Sequence, residues 1–423
     1  MSDTGNKKGA EIIPFSRSSK TGSLSLAAKI AHLRELGTKD RAELILSDPE
    51  GKSLARSLEP QELYWLVKEF GEEDAAAFVT FSSPDQYDFF LDVELWDGLT
   101  YSRDKALEWI GYLMAAGEER VVEQVTRMDF ELLLLICAKE LIVGGGIGDM
   151  LSDEERRAEW DRTFDNMFYI TFRDEKQGPL LGRFIDIIFR NEHDLYLRLM
   201  QATRSEVESE LEDLCFQFRS GRLADMGFPE REHALEIYRY QDPEAFVAED
   251  GKEPVVVDVE GHLPAPFPAG DSFFQRAMSA AASEGLSVEL FCLVNTALVA
   301  EEKPFADHDV MASVLQRVYG YLAIALEHLS GGDEQKAASI LKAEYLKRLF
   351  QLGFAIVSRL RLRAEQVNAA GLDHATNRAL LGFRRKCPHF YRGLDPDRVD
   401  GYREFRNMAD VQAVDALLGE LGG

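Results

Sequence analysis

Between residues 58 and 96 the chain repeats one pattern of apolar and polar positions about every dozen residues. Three segments start at Leu58, Phe70 and Phe81. Each begins with an apolar residue, passes through a turn-and-cap cluster and continues at helical spacing. Pro60 and Pro84 fall in first turns, where the missing N–H costs no hydrogen bond. Ser82 or Ser83 can cap the third segment, and Glu72, Glu73 and Asp74 set anionic side chains near the positive end of the second. Isolated helices below roughly 12–15 residues rarely persist in water. The pattern therefore predicts short helices that stack and share one stripe of Leu63, Leu66, Val67, Phe70, Phe78, Phe81, Phe89, Phe90 and Val93. Burial of each such side chain contributes on the order of 1.5–3 kcal/mol, enough to hold the helices collectively.

Helical periodicity starts near Leu24, with Leu26, Ile30 and Leu33 on one face and Gly37 as its stop, and Asp40 can cap a second helix through Leu44, Ile45 and Leu46. Further helices are expected over residues 103–116, 120–143 (a pair split at Met128-Asp129, with Asp129 as cap), 153–165, 180–189, 192–219 and 230–240. Between residues 250 and 271, Pro254, Pro264, Pro266 and Pro268 with Gly251, Gly261 and Gly270 flank Val255-Val256-Val257-Asp258-Val259. This reads as a linker with room for one short strand. Beyond it come a helix over 311–329, a turn at Ser330-Gly331-Gly332-Asp333, one long helix over 334–367 and a closing helix over 409–421. The expected fold is all-α. It has a flexible arm (1–22), an acidic helical-repeat domain (23–249, with the superhelical repeats near 58–143), a Pro/Gly-rich linker (250–271) and a C-terminal helical domain (272–423).

The net charge of −26 is unevenly spread. Residues 1–270 hold 54 acidic and 30 basic residues, whereas residues 271–423 hold 20 and 18. Residues 59–94 contain ten acids and the single base Lys68. Such a surface repels nucleic-acid phosphate and anionic lipid and favours cations or basic protein surfaces. No apolar run reaches the ~20 residues of a membrane span, and Met1 to Lys8 lacks the apolar core of a secretory signal, so a soluble, cytoplasmic protein is expected. Cys137, Cys215, Cys292 and Cys387 stand far apart, a usage that suits a reducing compartment rather than a disulfide framework.

Candidate chemistry is sparse. The glycine run at 144–148 follows an apolar stretch expected to be helical and precedes Asp149 where a phosphate loop needs a cation, so it reads as a helix stop and connector. No histidine falls in a metal-ligand spacing; Asp307-His308-Asp309 is the densest such cluster, with Asp309 expected to cap the next helix. No serine or cysteine sits in a nucleophile motif. Glu72, Glu73, Asp74, Asp85, Asp88 and Asp92 are weak candidates for a divalent cation, since oxygen ligands suit Mg²⁺ or Ca²⁺ but these lie on separate helices. Residues 344–386 reverse the charge, with nine bases against three acids. Lys347, Arg348, Arg359, Arg361, Arg363, Arg384, Arg385 and Lys386 form a candidate interaction surface, expected to dock on the acidic first part within or between chains. Arg359, Arg361 and Arg363 spread round a helix rather than lining one face, which disfavours nucleic acid.

The repeat over residues 58–93 resembles the cytosolic N-terminal domain of MgtE-type magnesium transporters, a superhelix of short helices rich in acids, prolines and leucines. That resemblance implies fold and does not imply transport. Gly320-Tyr321-Leu322-Ala323-Ile324-Ala325-Leu326-Glu327-His328-Leu329-Ser330-Gly331-Gly332-Asp333, Leu346-Lys347-Arg348-Leu349-Phe350-Gln351-Leu352-Gly353-Phe354 and Tyr402-Arg403-Glu404-Phe405-Arg406 are similar to a family of uncharacterised bacterial all-helical proteins. No activity and no cofactor follow from it. The pattern as a whole predicts a non-catalytic interaction or scaffold module. A divalent-cation-responsive regulator, an enzyme of unrecognised type with a pocket between the helical halves, and a nucleic-acid binder acting through residues 344–386 are the alternatives.

Overall fold

The computed structural model describes residues 25–36, 38–70, 72–146, 160–205, 207–248, 252, 272–301 and 308–422. The arm 1–22, Gly37, residues 147–159, Asp307 and the linker apart from Lys252 lie outside the described residues, as do the side chains of Glu72, Glu73, Asp74, His308 and Asp309.

The chain is predominantly α-helical. It opens with α1 (Leu26–Glu35), α2 (Thr38–Ser47), α3 (Gly51–Arg56), α4 (Pro60–Phe70), α5 (Glu72–Phe81) and α6 (Pro84–Glu94). The repeat segments thus become α4 to α6. A capping box closes the start of α6: Ser83 Oγ accepts the Gln86 N–H at 3.2 Å, and Gln86 Oε1 accepts the Ser83 N–H at 2.8 Å. Gln86 Nε2 also donates to the carbonyls of Ala55 (2.8 Å) and Leu58 (2.7 Å), fastening α6 to the end of α3. Tyr64, Tyr87, Phe90 and Trp109 pack ring against ring beneath these helices.

A hairpin that the periodicity does not predict follows, with β1 (Trp96–Asp97) antiparallel to β2 (Thr100–Tyr101). After it come α7 (Arg103–Ala115), α8 (Glu118–Val125) and α9 (Phe130–Glu140). Asp129 occupies the N-cap position of α9, but its side chain makes no cap hydrogen bond; it pairs with Arg222 instead.

The apolar run from α9 does not stay helical to residue 143. Leu141–Gly145 forms β3, the edge of a three-stranded antiparallel sheet with β4 (Arg162–Thr163) and the central β5 (Phe168–Phe172). Val143 lies opposite Ile170. The aromatic and β-branched residues of β5 supply a partner that takes these backbone groups from the helix. Gly144 admits the Trp160 ring, since a Cβ there would lie 2.3 Å from it. The sheet also replaces the expected helix at residues 160–165, where Asp165 Oδ1 accepts the N–H groups of Met167 and Phe168 in a tight turn.

The run 192–219 is two helices, α11 (His193–Ser205) and α12 (Glu208–Asp225), preceded by α10 (Gly178–Asn191) and followed by α13 (Arg231–Leu235) and a 3₁₀ turn at Glu236–Tyr238. The remaining elements are α14 (Phe273–Ala281), α15 (Glu284–Ala300), α16 (His308–Ser330), α17 (Glu334–Ala343), α18 (Leu346–Gln366), α19 (His374–Phe383), the strand pair β6 (Phe390–Tyr391) and β7 (Tyr402–Arg403), and α20 (Met408–Gly422).

The long helix expected over 334–367 breaks at Glu344 and Tyr345 because tertiary groups satisfy both raw ends. Lys252 Nζ donates to the Glu344 carbonyl at 3.2 Å, and Glu289 Oε1 accepts the Leu346 N–H at 2.6 Å. Lys252 and Glu289 also pair with each other.

Buried residues from Leu33 to Leu418 form one continuous cluster. Residues 231–246 pack on α18. The Tyr238 ring lies 5.7 Å from Phe350 and 5.1 Å from Phe354, and Gln351 Nε2 donates to the Glu236 carbonyl at 2.8 Å. Helices α16 and α18 cross at close range. A Cβ on Gly353 would stand 2.1 Å from the Tyr321 carbonyl oxygen, and one on Gly320 would stand 1.8 Å from that of Phe405.

Candidate functional site

The acidic candidates divide. Glu72, Glu73 and Asp74 open α5, and Asp85 is exposed in the first turn of α6. One turn apart on α6, Asp88 and Asp92 gather with Asp129 around an arginine. Arg222 of α12 grips Asp92 at 2.6 and 2.8 Å and pairs with Asp129, while Arg219 Nε donates to the Asp92 carbonyl at 2.5 Å. Gln124 Nε2 donates to Asp88 Oδ1 at 2.6 Å. Burial pushes the Asp88 carboxyl up to about 7; the Asp92, Asp129 and Asp85 charges add to the rise, and Arg222 opposes it. Arg222 therefore stands between Asp92 and Asp129 where a divalent cation would have to sit. Among the described residues, no three His, Cys, Asp or Glu side chains gather to hold a metal.

The basic candidates are largely bonded within the chain. Lys347 pairs with Glu236 (3.0 Å), and Arg348 with Glu344 (2.9 Å), its guanidinium lying over the Phe246 ring. Arg359 holds Asp242 (2.7 Å) and Glu244 (3.2 Å). Arg361 lies 3.7 Å from Glu365, and Arg363 pairs with Asp415. Arg384 donates to the Ala364 and Val367 carbonyls, closing the end of α18, and Arg385 covers the Tyr402 ring. Lys386 is exposed. Glu236, Asp242 and Glu244 all belong to the packed segment ahead of the linker, so part of the basic surface is docked on acids of the same chain.

The most chemically loaded place is one that sequence spacing does not reveal. Four other segments converge on the buried Arg317 of α16. Its guanidinium donates to Glu404 at 2.9 and 3.2 Å, pairs with Glu301, and lies 3.3 Å from the Tyr238 hydroxyl. Ser313 Oγ donates to Glu404 Oε1 at 2.9 Å, and His389 Nε2 lies 3.4 Å from the same oxygen. His389 Nδ1 lies 2.9 Å from the Cys387 carbonyl. The Tyr321 ring is fully buried one helical turn beyond Arg317, and its hydroxyl has no hydrogen-bond partner among the described residues.

Cysteine, histidine and glutamate side by side invite a nucleophilic reading, and the geometry opposes it. Both ring nitrogens of His389 face oxygens, so neither is aimed at the thiol. Burial pushes the Cys387 thiol up and the His389 imidazolium down, the reverse of an activated pair. Arg317 and Glu404, both almost wholly shielded from solvent, act as a lock joining α16 to the β7 segment. The three stretches that carry the resemblance to a helical family all meet here: Tyr321, Phe350 and Glu404 stand within one packed centre.

A groove of about 380 Å³ opens where α3, α5 and α8 meet, lined by Lys52, Thr80, Ala116, Glu119, Arg120 and Glu123. Its arginine is already engaged, since Arg120 donates to the Val79 and Ser83 carbonyls at the end of α5 and to Gln124. Arg56 pairs with Glu123 at 2.8 Å.

Compared with known proteins, the chain belongs to DUF6178, a family of unknown function whose model matches residues 18–422. No curated protein and no solved structure matches it.

Proposed function

We propose that this chain, in a family without an assigned activity, works as a non-catalytic protein–protein interaction or scaffold module of the cytoplasm. One observation carries the reading. The fold gives its buried charged groups ion-pair partners, as at Arg317–Glu404 and where the half-buried Arg222 holds the buried Asp92, and leaves apolar side chains outward in a row on α12. Buried charges bonded this way hold a shape; they are not poised for proton transfer to a substrate. The stacked array α4 to α6 supports the same reading, because stacked short helices present extended surface. The likeness of residues 58–93 to the MgtE-type domain adds support only at this level. Four unpaired thiols suit a reducing compartment, and no described helix is long and apolar enough to cross a membrane.

The cation-responsive alternative loses ground because Arg222 already pairs with the Asp92 and Asp129 carboxylates. The nucleic-acid alternative loses ground because most of the cations it needs are paired within the chain.

The experiment is affinity purification of the tagged full chain from its native host in two successive steps, with quantitative mass spectrometry. A protein recovered in near-stoichiometric amount through both steps is the expected result. Recovery of the chain alone, with turnover of a metabolite by the purified material, would overturn the proposal.

A further inference from the structure

We propose that the outer face of α12 docks a basic amphipathic helix of another protein. This inference rests on the interaction-module reading and goes beyond it by naming the surface and the chemistry of the partner.

Val207 stands at the N-cap of α12, and Leu214, Phe218 and Gly221 follow at spacings of seven, four and three. Those spacings put all four on one line of a 3.6-residue helix. The line faces solvent: Val207 is 53%, Leu214 37% and Phe218 42% exposed.

Two other sides of α12 are occupied. Glu212 Oε1 accepts the Tyr101 N–H, Phe216 packs 5.4 Å from Trp96, and Arg219 lies over the Trp96 ring, so one side holds the β1–β2 hairpin. Leu211, Cys215 and Leu223 are buried in the core. Among the described residues, Leu214 and Phe218 stay outside the buried core.

Charge selects the occupant. The other exposed residues of α12 are Ser209, Glu210, Asp213, Gln217, Ala224 and Asp225, three acids and no base. Lys139, on the far flank, is held by Glu208 and Glu212, and Arg222 is turned to Asp92. An apolar row whose exposed charged neighbours on α12 are all carboxylates fits a partner whose apolar row is edged by lysine or arginine. A second copy of this chain would set the same acids against each other, and anionic lipid or nucleic acid is repelled by them. A helix laid along α12 matches the row in shape. Gly221 leaves room for its backbone, since nothing lies within 4 Å of where a Cβ would stand.

The test measures fluorescence anisotropy of two labelled peptides against the full chain at physiological salt. One is an amphipathic leucine/lysine helix and the other a leucine/glutamate helix of the same pattern. The expected result is binding of the lysine peptide alone. It should weaken about ten-fold or more in the Leu214→Ser/Phe218→Ser variant, as for loss of central apolar anchors, and stay unchanged in Asp85→Lys, a charge reversal on another face. Circular dichroism and the urea midpoint verify that the variants fold.

Equal binding of the lysine peptide to wild type and the double-serine variant would overturn the inference, as would no binding. Concentration-dependent dimers abolished by the same variant would also overturn it, naming a second copy as occupant. In each case partner recovery from the host remains an independent measure of the wider reading.

Discussion

Gln61 and Asn295, 234 positions apart, join their buried side chains through a hydrogen bond of 2.7 Å. The Asn295 amide nitrogen also donates to the Met226 carbonyl at 3.0 Å, so one side chain ties α4 and the end of α12 to α15. A buried polar group left without its partner costs about 1–3 kcal/mol. Asn295→Leu strands both the Gln61 amide and the Met226 carbonyl and is expected to lower unfolding free energy by that order. Gln61→Leu together with Asn295→Leu should cost less than the two single changes added. Urea denaturation of the four proteins forms the cycle, and simple additivity would contradict the coupling.

Arg317 and Glu404 call for a harsher outcome. Removal of one member of a buried ion pair costs about 3–5 kcal/mol, because the other charge is left in the interior. Arg317→Met should therefore destabilise the chain severely, whereas Arg317→Met with Glu404→Leu should recover a large part of the loss. Chemical denaturation reads both. Equal stability of the single and double variants would show that Glu404 is satisfied by Ser313 and His389 alone.

Asp88 gives stability a pH dependence of known sign. Its folded carboxyl titrates at about 7, above the ordinary 3.8, so the folded chain binds this proton more tightly than the unfolded chain. Stability from this group is low above pH 7 and grows as pH falls through 7 toward 4. Asp88→Asn keeps an acceptor for Gln124 and carries no charge. It should unfold at higher denaturant than wild type at pH 8, with the advantage shrinking steadily toward pH 4. A difference independent of pH would contradict the assignment.

Gly353 sits where α18 meets the backbone of α16, with the Tyr321 carbonyl oxygen 2.1 Å from the position of an added Cβ. Gly→Ala in a helix interior ordinarily stabilises by roughly 0.5–1 kcal/mol. Here the sign should invert, because the helices must separate to admit the methyl group. Thermal unfolding of Gly353→Ala below wild type is the expected result, and an unchanged or raised midpoint would place the two helices farther apart.

Local signals made α4 to α6 legible. Pro60 and Pro84 at first turns, Ser83 with Gln86, and apolar spacing all act within one or two turns of the residues they organise. Features set by distant partners were not legible. Leu141-Ile142-Val143 continues the apolar run of α9 and becomes a strand only because residues 168–172 lie beside it. Nothing near Glu344 marks a helix end; Glu289 and Lys252 create it from elsewhere in the chain. The converging part of the acidic set was half visible: Asp88 and Asp92 share a face at i and i+4, but the arginine that pairs with the Asp92 carboxylate comes from more than a hundred residues away. The Arg317 centre could have been suspected only from a charged residue inside an apolar helical stretch, a signal too common to single it out.

The most direct measurement is site-specific photocrosslinking in the native host, with a benzophenone amino acid placed at Phe218 in one strain and at Asp85 in another. The account predicts one dominant heterologous adduct from position 218 and none of that mass from position 85. Equal adducts from both positions, or none from 218, would contradict a function exercised through the face of α12.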